Sequence, residues 1–332
     1  MFKPANPVRP GYPIIAGAAM IDVQNLGMQF GPVTALEDAT FRVGQGEILG
    51  LLGPNGAGKS TVMKILTTYL RPSAGSATVC GFDVVQEPRE VRRRIGYLPE
   101  NLPLYLYMEV GEYLDFVARA RGLKSDMLRQ RLEWVLVRTG LIPVFRRPIG
   151  ELSKGFRQRT ALAQALIHDP EVIILDEPTT GLDPHQILEI RGLIRELAAT
   201  KTVLFSTHIL HEAETIADRI VIISHGTIRA QGTLGELAAR AGTRTWGLAE
   251  IKAPVAEIRV ALEAMRDIVA VHPEREGGGW TAIRFAVLDP MTSLENVSAL
   301  CAARSWPLRG LTLTGQSLED IFLALTRAEQ AA

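Results

Sequence analysis

Gly53-Pro54-Asn55-Gly56-Ala57-Gly58-Lys59-Ser60-Thr61 is a glycine-rich turn that ends in a lysine and two hydroxyls. That composition suits a phosphate cradle. Glycine lets successive backbone N–H groups turn inward on an anion, and the N-terminus of a following helix adds positive potential. The Lys59 ammonium can then reach a β- or γ-phosphate, and the Ser60 hydroxyl can ligate Mg²⁺. No acidic residue in the loop opposes the anion. Further along, Val172-Ile173-Ile174-Leu175-Asp176-Glu177 is an apolar run ending in two acids. Asp176 is expected to hold Mg²⁺ through water, and Glu177 to accept a proton from water attacking a γ-phosphate. Charged residues commonly end strands, so the acidic pair takes its meaning from the phosphate loop. Together the two segments predict a site that binds and hydrolyses a nucleoside triphosphate.

For these groups to meet, the chain must bring two distant strand ends to one edge. Ile48 to Leu52 is a continuous apolar run, as expected of a strand buried on both faces, and it feeds the loop and a helix from about Lys59 to Leu70. Val172 to Leu175 and Val203 to Phe205 have the same character, with a helix, Gln186 to Ala199, between them. A parallel sheet follows, and open sheets of this kind bind ligands at the carboxyl ends of their strands. Ahead of this core, Ile21-Asp22-Val23 and Thr40-Phe41-Arg42-Val43, punctuated by Gly31-Pro32 and Gly44-Gln45-Gly46, predict antiparallel strands. Residues 101–168 interrupt the core with helices, Glu109 to Arg121 and Met127 to Thr139, stopped by Gly122 and Gly140. Ile220 to Ile223 and Thr227 to Ala230 close as a hairpin, after which Gly232 is expected to open a helix.

From Arg244 the order is strand (to Ile251), helix (Val255 to Met265), strand (Ile268 to Val271), strand (Trp280 to Val287), helix (Met291 to Ala303) and strand (Gly310 to Leu313). That predicts a ferredoxin-like α+β domain. It carries no titratable cluster or glycine-rich loop, so binding or regulation is expected of it rather than catalysis. A final helix, Ser317 to Arg327, follows.

With Leu152-Ser153-Lys154-Gly155-Phe156 shortly before the acidic strand, residues 20–235 resemble an ABC-family ATPase. The resemblance implies ATP and Mg²⁺ as ligands. It implies an α/β P-loop NTPase (RecA-like) core with an antiparallel β subdomain and a helical insertion. It also implies that Ser153 and Gly155, at the start of a helix from Phe156 to His168, face the γ-phosphate held by a second ATPase subunit in a head-to-tail dimer. A helix start with a free hydroxyl is an anion site, although a simple helix cap explains it as well. Asp183, in Thr180-Gly181-Leu182-Asp183, resembles the loop that crosses the dimer interface, and His208, after Ser206-Thr207, resembles the histidine that contacts the γ-phosphate. Phe30 falls where relatives stack an aromatic ring on adenine, a position a core residue could equally occupy. Three residues depart from the common pattern: Lys154 and Phe156 replace glycine and glutamine, and Glu100 in Gly96-Tyr97-Leu98-Pro99-Glu100 replaces glutamine. As an acid, Glu100 can orient water or reach Mg²⁺. This signature, the Tyr97–Glu100 segment and Ser317-Leu318-Glu319-Asp320-Ile321-Phe322 are similar to the subgroup serving ABC-2-type exporters of the multidrug and gliding-motility kind. Integral membrane permease subunits are the implied partners, and a homodimer is the simpler expectation because one chain supplies both loop and signature.

Composition narrows the alternatives. The chain has 332 residues, and its 36 acidic and 36 basic residues balance, so no net field draws it to nucleic acid or anionic lipid. Arg92-Arg93-Arg94 and Arg146-Arg147 have acids nearby or lie on helix faces without interleaved aromatics, so nucleic acid is not expected. Cys80 and Cys301 lack metal-site spacing and read as core residues of a reducing compartment. No apolar run approaches the roughly 20 residues that span a bilayer. The expected location is cytoplasmic, peripheral on the inner face of the cell membrane. Residues 1–19 read as an N-terminal extension and 236–332 as an accessory domain. A soluble ABC ATPase acting on ribosomes or DNA is the rival reading; a single phosphate loop and the lack of heptads speak against it.

Overall fold

Alternating burial sets up the first sheet. β1 (Ile21–Phe30) buries Ile21 and Val23 and pairs antiparallel with β2 (Val33–Val43), register Ile21↔Val43. The intervening turn has Gly31 at φ +57°, a left-handed conformation suited to glycine. The structure is a computed structural model that describes residues 19–241, 245–287, 290–314 and 318–327. Most of the expected N-terminal extension and Ser317 therefore lie outside the described residues. The chain divides into two units that part between Thr233 and Leu234.

In the first unit β3 (Ile48–Leu52) is buried along its whole length and leads into α1 (Lys59–Leu66). The helix stops short of the expected Leu70. Thr68 turns left-handed at φ +64°, and the N–H groups of Tyr69 and Leu70 both return to the Lys64 carbonyl. Then come β4 (Ala74–Val79), β5 (Phe82–Asp83), α2 (Pro88–Arg94) and β6 (Ile95–Leu98). The helical part follows as α3 (Val110–Ala120), α4 (Ser125–Arg138) and α5 (Lys154–Leu166). Gly122 and Gly140, both at positive φ, follow α3 and α4. The core resumes with β7 (Val172–Asp176), α6 (Pro184–Ala198), β8 (Thr202–Thr207), α7 (Leu210–Ile216) and the antiparallel hairpin β9 (Arg219–Ser224) and β10 (Thr227–Gly232). Gly232 ends β10 rather than opening a helix.

Among the described residues these strands form a four-stranded sheet in the order β2-β1-β4-β5 and a six-stranded sheet in the order β10-β9-β3-β8-β7-β6. Neighbours from β9 to β6 run parallel, and β10 is the antiparallel edge. Period-two alternation sorts the six-stranded sheet's side chains onto two covered faces. Leu49, Leu51, Ile174 and Leu204 pack with α1 and the antiparallel sheet, while Ile173, Leu175, Val203 and Phe205 pack with α3, α5 and α6. At about 1.5–3 kcal/mol for each fully buried aliphatic side chain, this double-sided packing is what makes the site's sheet rigid.

The second unit comprises α8 (Leu234–Arg240), β11 (Thr245–Ile251), α9 (Val255–Glu263), β12 (Ile268–Gly277), β13 (Trp280–Val287), α10 (Pro290–Ala303), β14 (Leu308–Thr314) and α11 (Leu318–Arg327). Its sheet order, β12-β13-β11-β14 with all neighbours antiparallel, is ferredoxin-like. Gly247 on β11 is required by contact: a Cβ there would lie 2.3 Å from the Phe285 ring that fills the core. Cys301 is buried in this core and Cys80 is half-buried in the first unit; both thiols are free.

Candidate active site

The site is assembled where β3, β8, β7 and β6 end together. β8 lies between the strand that carries the phosphate loop and the strand that ends in the acids, with registers Leu52↔Thr207 and Asp176↔Ser206. Residues far apart in the chain therefore become lateral neighbours at one sheet edge, the location where such sheets take ligands.

The loop is shaped for close approach by an anion. Gly56 and Gly58 have φ of +78° and +106°, and Gly58 is the N-cap of α1. A Cβ at Gly53 would stand 2.2 Å from the Ile223 carbonyl oxygen, and one at Gly58 2.7 Å from that of Ala35. Pro54, Asn55 and Gly56 are exposed at the tip, Ala57 is buried, and Ser60 and Thr61 are half-buried on the first turn of α1. Lys59 is only 5% exposed; its Nζ donates to the carbonyls of Gly53 (2.7 Å) and Pro54 (3.1 Å). The ammonium is thus held inside the curve of the loop.

Asp176 Oδ1 accepts hydrogen bonds from Ser206 Oγ (2.6 Å) and Ser60 Oγ (3.2 Å). A hydroxyl and a carboxylate converging in this way offer hard oxygen ligands. Among the described residues no cluster of three or more His, Cys, Asp or Glu could hold a metal ion. A cation here must share its shell with phosphate and water, which is the habit of Mg²⁺.

Glu177 sits at φ +50°, rare for a non-glycine residue and costing about 1–2 kcal/mol. Ser206 Oγ secures the conformation by accepting from the Glu177 N–H at 2.9 Å. The carboxylate is 7% exposed as a residue. Oε2 is 2.8 Å from His208 Nδ1 and accepts from Thr180 Oγ1 at 3.3 Å. Oε1 is buried, accepts no hydrogen bond and lies 3.4 Å from Lys59 Nζ. A proton acceptor is therefore held between a lysine and a histidine, with one buried carboxylate oxygen that accepts no hydrogen bond.

One residue that sequence reasoning missed holds this geometry. Glu212 on α7, 2% exposed, accepts from Thr179 Oγ1 (2.5 Å) and Thr207 Oγ1 (2.8 Å), with Arg191 at 4.0 Å. It ties the turn after Glu177 to the strand end before His208. An acid on a short amphipathic helix carries no sequence signal of this role.

The remaining sequence-derived residues have no hydrogen bond or ion pair with these groups among the described residues. Ser153 caps α5, accepting from Phe156 N at 3.4 Å, and among the described residues makes no hydrogen bond to the phosphate loop. Gly155 is buried, and a Cβ there would strike the Gln186 side chain at 2.5 Å. Asp183 caps α6 in a capping box with Gln186. The start of α5 therefore packs against the Gly181–Gln186 turn, and Gln158 Nε2 donates to the Pro178 carbonyl beside Glu177 (2.9 Å). Glu100 is exposed beyond β6; its charge, with that of Asp176, adds to burial in raising the Tyr97 phenol above its ordinary range. Phe30, at the end of β1, is 45% exposed and is not a core residue.

A family model described as ABC transporter matches residues 36–180. The chain is 34% identical over 327 residues to the Nod factor export ATP-binding protein I of Ralstonia nicotianae, covering 97% of this chain and 98% of that one. It is 35% identical over 317 residues to the daunorubicin resistance ATP-binding protein of Streptomyces coeruleorubidus, covering 94% and 98%. Among solved structures it is similar to an ATP-binding subunit of an ABC transporter: TM-score 0.63, 33% identity, 67% of this chain and 93% of that one.

Proposed function

Because this chain belongs to the family of ABC transporter ATP-binding proteins, we propose that Lys59, Ser60, Asp176, Glu177 and His208 form its hydrolytic centre. It is an ATPase subunit that powers export, pairing with membrane permease subunits and dimerising, with ATP and Mg²⁺ as its ligands. The glycine-shaped loop fits the phosphates, with Lys59 reaching the β/γ region, and Ser60 and Asp176 fit Mg²⁺. When bound, Mg²⁺ neutralises charge that builds on the transferring phosphoryl oxygens. Glu177 Oε1 takes the proton of the attacking water, and His208 Nδ1 holds the other carboxylate oxygen so that this lone pair stays aimed. Phosphate on the loop competes with Glu177 for Lys59 and so makes the base available.

Ser153, Gly155 and Asp183 serve a nucleotide held by a second copy. Among the described residues the Ser153 and Asp183 side chains hydrogen-bond only within their own helix starts, which leaves them to a second copy, and a contact ties the first of these helices to the turn after Glu177. One chain supplies both halves, so the dimer is a homodimer. Phe30 stacks on adenine and Glu100 stands beside the metal. Residues 20–235 are the ATP-binding domain and 236–332 an accessory domain. The helical part about 101–168 passes motion to the permease, and its exposed cluster of Tyr105, Leu106, Tyr107 and Phe116 suits an apolar contact. Among the described residues no helix is long and apolar enough to cross a membrane, and the proposed location is peripheral, on the cytoplasmic face. Relatives named for daunorubicin resistance and Nod factor export differ in cargo, so the permease selects it.

The observation that carries this reading is the buried Glu177 carboxylate held at 2.8 Å from His208 and 3.4 Å from Lys59. Glu177→Gln is expected to lower turnover by about 10²–10⁴-fold while still binding MgATP and accumulating an ATP-bound dimer. Undiminished hydrolysis in that variant refutes the general-base assignment.

A further inference from the structure

The basic triplet beside β6 does more than decorate a helix. Arg94 and Arg93 pair with Glu90 at 2.8 and 2.7 Å, and Arg94 also lies over the Phe82 ring. Arg92 behaves differently. With Arg89, Arg93 and Arg121 it lines a cavity of about 520 Å³ whose wall also includes His168. Arg92 donates to Thr68 Oγ1 and Arg121 to the Arg92 carbonyl, but among the described residues no carboxylate ion-pairs with Arg89, Arg92 or Arg121. Three unneutralised guanidiniums share one concavity. Partial desolvation, and after it the charge of Arg92, hold the Arg121 guanidinium below its ordinary range.

His168 supplies an independent sign of a ligand. It is 6% exposed, its Nε2 lies 2.9 Å from the Ile95 carbonyl, and its Nδ1 is buried without a hydrogen-bond partner. A carbonyl only accepts, so Nε2 carries the ring proton and Nδ1 presents a bare lone pair. Burial, then the charge of Arg121, pushes the imidazole down to about 4, which keeps that lone pair available at neutral pH. Asp169 and Arg131 are the other charged neighbours that bear on the ring. A buried acceptor left unmatched costs free energy, and the group that matches it must donate.

We propose that this cavity binds a small phosphate ester that carries a free hydroxyl. The arginines take the phosphate oxygens in charge-assisted hydrogen bonds, and the hydroxyl donates to His168 Nδ1. The volume is that of a small-molecule site, and the lining has no aromatic platform on which nucleic acid bases could stack. None of the lining residues belongs to the phosphate loop, so this site is separate from that for ATP. It also joins two elements of the hydrolytic machinery. His168 follows the helix that begins at Ser153, and Ile95 opens the strand that leads to Glu100.

The ligand can be a free metabolite or a lipid headgroup, and the test separates them. The full chain, with MgADP saturating the phosphate loop, is titrated with labelled glycerol 3-phosphate by equilibrium dialysis. In parallel it is floated with phosphatidylglycerol vesicles and with phosphatidylcholine vesicles. Saturable binding of glycerol 3-phosphate identifies a soluble ligand; selective flotation with phosphatidylglycerol identifies a headgroup. In either case the double variant Arg92→Gln/Arg121→Gln should weaken binding by more than about tenfold, and Arg89→Gln, which disturbs no observed contact, should weaken it severalfold. The proposal is overturned if neither probe binds, or if binding survives undiminished in both variants with their melting temperatures intact.

Discussion

Replacing Glu212 by alanine tests whether the site's geometry is imposed from behind. The carboxylate accepts two hydroxyl hydrogen bonds, at 2.5 Å from Thr179 and 2.8 Å from Thr207, in a residue 2% exposed. Hydrogen bonds to a charged group contribute about 1.5–3 kcal/mol each, so their gross loss is about 3–6 kcal/mol. Removing a buried charge returns part of its desolvation, although Arg191, 4.0 Å away, loses its partner. The net expectation is about 3 kcal/mol of stability, or roughly 6–12 °C in melting temperature for a unit of this size. Activity should fall as well, because the turn after Glu177 and the strand end before His208 are no longer tied together. Glu212→Gln keeps the shape and should cost about 1 kcal/mol, with most of kcat retained. The assay pairs urea unfolding with steady-state MgATP hydrolysis, and a double-mutant cycle with Thr179→Val isolates the coupling. A Glu212→Ala protein within about 0.5 kcal/mol of the parent and with unchanged kcat refutes the argument.

His168 gives a pH signature. The unfolded chain takes up this proton near 6.5 and the folded chain only near 4, so stability is complete above 6.5 and is lost as pH falls toward 4, by up to about 3 kcal/mol. Urea unfolding at pH 7 and pH 5 reads the slope; His168→Gln should flatten it, and an equal slope in that variant discounts the burial. Ser153→Ala should cost about 1 kcal/mol or less as a lost helix cap. Its ATPase activity should nevertheless fall at least tenfold; normal turnover with reduced stability leaves Ser153 as a cap alone. Gly53→Ala places a Cβ 2.2 Å from the Ile223 carbonyl, forces the loop to shift, and should weaken binding of a fluorescent ATP analogue more than tenfold. Parental affinity contradicts the close-approach reading.

Much of the site was legible because its chemistry leaves local marks. The loop Gly53–Thr61, the strand ending in Asp176-Glu177 and His208 after its own strand could each be read from a few consecutive residues, and the sheet brings them to one edge. What stayed hidden depends on partners remote in the chain. Glu212 acts through two threonines on different segments, and Ser206 anchors both acids through one hydroxyl; neither contact has a sequence period. Boundaries slipped where tertiary contacts overrode pattern. α1 ended early at a left-handed Thr68, and Gly232 stayed within β10 because it pairs with Ile220. The short elements from β4 to β6 escaped because two to seven residues carry too little periodicity to register. Pairing within the Arg92 cluster was hidden for a related reason: Glu90 pairs with Arg93 and Arg94, whereas Arg92 donates to Thr68 on another segment.

The position of β3 in the sheet has a consequence for how the protein is made. Both of its neighbours, β8 and β9, lie far downstream; the Gly46 N–H is joined to Thr202 Oγ1 across 156 positions, and the Ile48 N–H to Asp218 across 170. A ribosome adding about 5–20 residues per second therefore releases the nucleotide loop on the order of ten seconds before its strand can be flanked. Until then an entirely apolar strand has no sheet to join. Nascent chains halted before Thr202 are expected to engage chaperones and to fail to retain ATP, so the enzyme becomes competent only once its late strands have emerged.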